Sequence, residues 1–206
     1  SPHRDRPAAR LATMATRTAP QTALQTALLI VDMINPFDFE GAAALLRNAL
    51  PAAQAIARLK AALKPAGVPV VYINDNFTQW RSDFRELVAV CGRDGAAGSA
   101  VVRLLKPDGD DYFVPKPKHS ASSATPLRLL LEQQEVERVI LTGIASDSCI
   151  LATAADAHMN EFSLCVPKDC VAAQTPERNH RALEVMRASL HADTRSARTL
   201  LRAPAL

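Results

Sequence analysis

The chain is 206 residues long, 48% apolar and 22% charged, which fits one globular domain with a real core and excludes a long disordered chain. Its formal charge of +3 is concentrated at one end. Residues 1–18 hold Arg4, Arg6, Arg10 and Arg17 against Asp5, and the body is neutral. A neutral body lacks the basic face of a nucleic-acid binder, and no stretch approaches the ~20 apolar residues of a membrane span.

Residues 1–25 are rich in Ala, Arg, Thr and Pro and show neither apolar periodicity nor the apolar stretch of a secretory signal. They are expected to form a flexible N-terminal arm ahead of a domain at 26–206. The first strand is predicted at 27–31, Ala-Leu-Leu-Ile-Val, an unbroken apolar run. Residues 41–64 place Leu45, Leu46, Ala49, Ala52, Ala53, Ile56, Leu59 and Leu63 at helical spacing before Pro65-Ala66-Gly67 stops the helix. A second strand at 68–73 and a short helix at 82–91 follow. Further strands are predicted at 111–115, 139–142 and 162–166. They alternate with helices at 125–134, 146–159 and 175–190, and two of these open on Thr-Pro.

Apolar runs without alternation mean strands buried on both faces, and strands alternating with helices mean right-handed crossovers in a parallel sheet. The expected fold is a three-layer α/β/α domain. In such sheets ligands gather at the carboxyl ends of the strands. Asp32 directly follows the first strand, where a carboxylate is costly unless paired. It serves equally well as a loop cap or as a base. Asn74, Asp75, Asn76, Phe77 and Trp80 follow the second strand and are either a hydrogen-bonding loop or polar substrate contacts. Pro115-Lys116-Pro117-Lys118-His119-Ser120 follows the third. Two lysines usually mean a solvated turn, but flanking prolines fix the backbone around Lys116.

The fourth strand ends in Thr142-Gly143-Ile144-Ala145-Ser146-Asp147-Ser148-Cys149. With Ser146 as N-cap, Cys149 is the third helical residue, among unpaired N–H groups and the positive end of the helix dipole. Both favour a thiolate, the reactive form of cysteine. The other cysteines are Cys91, Cys165 and Cys170, and no two of the four form a C-x-x-C pair. All four are expected to be thiols in a reducing cytoplasm.

Three motifs in order, Leu-Leu-Ile-Val-Asp32-Met, Lys116-Pro-Lys-His-Ser-Ala and Gly143-Ile-Ala-Ser-Asp-Ser-Cys149, resemble the isochorismatase-like (cysteine hydrolase) superfamily over about residues 27–194. The resemblance implies a Rossmann-like sandwich with a mainly parallel six-stranded sheet. It implies Asp32 as general base, Lys116 as its cation and Cys149 as nucleophile. It also implies a cis peptide between Ile144 and Ala145, with the N–H groups of Ala145 and Cys149 facing the substrate oxygen. Ser122 stands where the family usually has a pocket aromatic and joins Asn76 and Trp80, from the loop after the second strand, as a candidate substrate contact. The metal-binding members carry histidines after the second strand. None stands there here, so neither a metal nor another cofactor is expected.

The function expected from these residues is hydrolysis of a small non-peptide amide or ureido bond through a thioester, by a homo-oligomer. Vinyl-ether hydrolysis and an impaired binding relative are the alternatives. A Cys149–His119 pair is a further option, but a histidine in such a turn is more often a solvated loop residue.

Overall fold

The computed structural model describes residues 26–75 and 83–202. The arm at 1–25 and the candidate contacts Asn76 and Trp80 lie outside the described residues. Six strands form one sheet: β1 (Thr26–Val31), β2 (Val70–Asp75), β3 (Tyr112–Lys116), β4 (Arg138–Ile144), β5 (Ser163–Cys165) and β6 (Val171–Ala172). Their order is β3-β2-β1-β4-β5, with the short β6 pairing the end of β4, and every pairing is parallel.

The sheet is central because its strands are apolar on both faces. On β1, Leu28 and Ile30 face one core with α1 (Ala42–Leu63), α2 (Phe84–Gly92), α3 (Ser99–Leu104) and α7 (Ala197–Leu200). Ala27, Leu29 and Val31 face a second core with α4 (Leu127–Gln133), α5 (Leu151–Met159) and α6 (Pro176–Ser189). The three-layer α/β/α architecture is the one the alternating pattern predicts. No helix among the described residues is long and apolar enough to cross a membrane.

The differences from the predicted elements are local. The elements β6, α3 and α7 have two, six and four residues, too short for periodicity to reveal. The Thr175 cap forms as expected, its hydroxyl accepting from the Arg178 N–H at 3.2 Å ahead of Pro176. Ser146 is not an N-cap. Ala145 holds that place in extended backbone, and the Ser146 hydroxyl is buried without a partner. The helix opens with one π turn, Ser146–Ile150, in which the Ile150 N–H donates to the Ala145 carbonyl at 3.1 Å. Cys149 is therefore the fourth helical residue, not the third.

The register sets the strand ends side by side. Val31 pairs with Ile73 and with Gly143, and Asp75 pairs with Lys116. Gly143 has φ +117, and a Cβ there would lie 2.0 Å from the Val31 carbonyl oxygen. Only glycine lets β4 approach β1 this closely before the chain turns toward Cys149.

Candidate active site

Asp32 leaves β1 in the left-handed region, φ 55, a conformation that aspartate tolerates better than most residues. Its carboxylate is nearly buried. One oxygen accepts from the Asp75 N–H at 2.9 Å, and the other lies 2.9 Å from Lys116 Nζ. Lys116 ends β3 and is 2% exposed. Its ammonium also donates to the Lys118 carbonyl at 3.1 Å and to Cys149 Sγ at 3.5 Å. Asp32, Lys116 and Cys149 thus meet at one edge of the sheet. The strand of Lys116 is not adjacent to that of Asp32: β2 runs between them and contributes only the Asp75 amide to the contact.

Burial pushes the Asp32 carboxyl above its ordinary range, and the charge and hydrogen bond of Lys116 offset this only in part. Burial also works against the charge of Lys116, but Asp32 and Cys149 outweigh it and hold the ammonium above its usual range. The Cys149 thiol is pushed up to about 11, first by burial and then by the negative charge of Asp32. This corrects the expectation of a thiolate favoured by the helix start. Burial and the neighbouring carboxylate outweigh the opposing charge and hydrogen bond of Lys116. Asp32 and the thiol both contact the Lys116 ammonium, which leaves the carboxylate placed to take the thiol proton.

The peptide between Ile144 and Ala145 is cis. Both residues line a cleft of about 550 Å³ with Asp32, Lys116, Cys149 and His119. Gln174, Arg178, Phe39 and Leu45 also line it. Arg178 is paired with Asp147 of the π turn and with the Gln174 side chain. Sequence reasoning missed Gln174 and Arg178, because they are brought in by the two-residue β6. Ser122 is not among the lining residues. It sits in the loop after β3 with its N–H on the Ser120 hydroxyl at 3.2 Å. Asn74 is fully buried and ties β2 to the loop after β1 by donating to the Ile34 carbonyl at 2.8 Å. His119, set aside as a loop residue, lies with Nδ1 3.7 Å from Cys149 Sγ.

Among the described residues, a cluster with metal-ligand spacing is Asp108, Asp110 and Asp111. It lies away from this cleft and is already held by Lys60 and Lys64.

An α/β/α sandwich with a cysteine, an aspartate and a lysine at its strand ends defines a class of hydrolase folds. The isochorismatase domain model matches residues 26–198, and the chain belongs to that family. It is 38% identical over 167 residues to the uncharacterized isochorismatase family protein YaaI of Bacillus subtilis (81% of this chain, 91% of the relative). It is 27% identical over 162 residues to a probable inactive nicotinamidase of Arabidopsis thaliana (74% and 83%). The crystal structure of N-carbamoylsarcosine amidase from Thermoplasma acidophilum superposes with a TM-score of 0.66 at 27% identity, covering 84% of this chain and 96% of that one.

Proposed function

We propose that this protein is a cysteine amidohydrolase that cleaves a small non-peptide amide or ureido C–N bond. One observation carries the reading: the Cys149 sulfur lies 3.5 Å from the Lys116 ammonium, which in turn lies 2.9 Å from the Asp32 carboxylate. Asp32 takes the thiol proton as sulfur attacks the carbonyl carbon, and then gives it to the departing nitrogen. Lys116 stabilises the Asp32 carboxylate before the proton is taken and after it is given up. Water clears the thioester by the same route in reverse. The N–H groups of Ala145 and Cys149 stabilise the oxyanion. In support, neither has a main-chain acceptor outside the helical turn among the described residues. The similarity to an N-carbamoylsarcosine amidase supports amide over vinyl-ether chemistry, as does the cysteine itself.

The four free thiols fit a reducing compartment such as the cytoplasm. Assembly into a homo-oligomer belongs to the same proposal, supported by the exposed Leu129, Met159 and Val185. Light scattering that gives a 22.2 kDa monomer counts against it.

The reading is tested by screening a panel of small primary amides and N-carbamoyl compounds for ammonia release, with Cys149→Ala as control. Release from at least one class by the parent and none by the variant is expected. Release that survives in Cys149→Ala sinks the thioester route.

A further inference from the structure

His119 follows Lys116 by three residues, and the reading of Cys149 as nucleophile gives it no task. Its Nδ1 lies 3.7 Å from Cys149 Sγ and 3.3 Å from the Ser148 hydroxyl, and the ring lines the cleft. Bonds on both sides hold it there. Before it, the Lys118 carbonyl accepts from Lys116 Nζ. After it, the Ser120 hydroxyl bonds the Asp156 carboxylate, and the Ala121 N–H donates to Thr153 Oγ1 at 2.9 Å. The Thr153 hydroxyl donates in turn to the Cys149 carbonyl at 2.7 Å. The loop carrying the imidazole is therefore fastened to the turn carrying the thiol.

The two candidate bases differ in what already occupies them. Both oxygens of Asp32 have a donor, Lys116 on one and the Asp75 N–H on the other. Among the described residues, His119 Nδ1 has the Ser148 hydroxyl and the thiol in reach. Asp32 is also nearly buried, whereas His119 is exposed and exchanges protons directly with water.

We propose that His119 is a further catalytic residue, a second base on the Cys149 thiol that works from the cleft side. Neutral imidazole takes the S–H proton as the C–S bond forms. The imidazolium returns that proton to the departing nitrogen as the C–N bond breaks. This inference rests on the proposed role of Cys149, and it is tested without an amide substrate.

The charged groups around the ring are Lys118 on its own loop, Asp32 after β1, Asp75 on β2, Lys116 on β3, Asp147 on the π turn and Arg178 on α6.

The experiment is the rate of Cys149 alkylation by iodoacetamide between pH 5.5 and 8.5, followed by mass mapping. Wild type, His119→Gln and Lys118→Gln are compared. In wild type the rate climbs across this range as base assistance in removing the S–H proton grows. His119→Gln loses the climb and reacts about tenfold more slowly at pH 8, while Lys118→Gln follows wild type. Superimposable profiles for wild type and His119→Gln overturn the inference. Labelling that reaches Cys91 or Cys170 before Cys149 overturns instead the reading of Cys149 as nucleophile. His119 is exposed, so the variant's melting temperature should match wild type, and a folded variant with an unchanged profile remains decisive.

Discussion

The two ends of β3 carry the same residue types in two different settings. Just before the strand, Asp108, Asp110 and Asp111 meet Lys60 and Lys64. Lys64 Nζ lies 2.7, 2.7 and 2.8 Å from the three carboxylates, and Lys60 reaches Asp111 at 2.6 Å and the Tyr72 hydroxyl at 3.1 Å. At the far end, Lys116 meets Asp32. In the outer cluster water still reaches Asp108 and Asp110, whose side chains are 55% and 76% exposed, while Asp111 is buried against Lys60. Hydrogen bonds from Lys64 and Lys60 hold Asp108 below the usual carboxylate range. Slight burial works against the charge of Lys64, but its three carboxylates outweigh it. These charges are fixed, and the cluster fastens α1 to the chain entering β3. In the inner pair, burial raises the carboxyl instead, and a thiol lies 3.5 Å from the same ammonium. One lysine–aspartate contact is a clamp, and in the proposed mechanism the other handles a proton. The exposed Asp108 and Asp110 beside the one and the thiol beside the other separate them, since charge and distance are nearly the same in both.

The sharpest break in this comparison comes from Asp32→Asn, which keeps shape and removes the base. Turnover should fall by roughly two to four orders of magnitude. Alkylation of Cys149 at neutral pH should not fall in parallel, because Asp32 is one of the causes raising the thiol and its removal leaves Lys116 unopposed. Parallel loss of both would show that Asp32 acts only by holding the site together. The same carboxylate sets a pH signature. A base must be ionised to work, and its folded-state pKa is raised, so kcat/KM should increase with pH through a limb above the ordinary value of about 3.9. A limb at or below pH 4 contradicts the assignment.

Lys116→Met should cost about a hundredfold in turnover. It should also cost about 3 kcal/mol in stability, since it strands a buried carboxylate. Lys118→Met should be nearly silent, because Lys118 contributes its carbonyl rather than its exposed side chain. Equal damage from both would mean that a generally basic loop is enough.

The smallest effect belongs to the outer cluster. Lys64→Met should leave turnover unchanged and lower stability by at most about 1 kcal/mol, as expected for solvent-screened pairs. Denaturant melts of that variant, run beside turnover assays, check both halves. Lost turnover would mean that the far end of β3 reaches the site.

The layers of the fold were legible because β1, β2 and β4 are continuous apolar runs and the helices between them repeat every three to four residues. Asp32, Lys116 and Cys149 were legible because each follows a strand, and the register of a parallel sheet brings such positions to one edge. The π turn was not legible, since Ser146 offers the same cap signal whether the first turn is α or π. His119 was discounted because the path of its loop depends on Ser120, Ala121 and Thr153 bonding across 32 to 36 residues. Gln174 and Arg178 depend on β6, whose two residues carry no periodicity. The thiol's high pKa was hidden because helix position is visible in a sequence and burial beside an unpaired-looking aspartate is not.

The strand between β1 and β3 makes the sheet a ruler. Lys116 and Asp32 bridge two strand spacings, roughly 9–10 Å, across a middle strand that gives only a main-chain N–H. The gap therefore selects side chains by length as well as by charge. A lysine stem crosses it and still leaves its tip free to touch the sulfur, whereas an imidazole from the same backbone position falls short. Sheet geometry, fixed by hydrogen bonding far from any substrate, thus limits which residue types this position accepts.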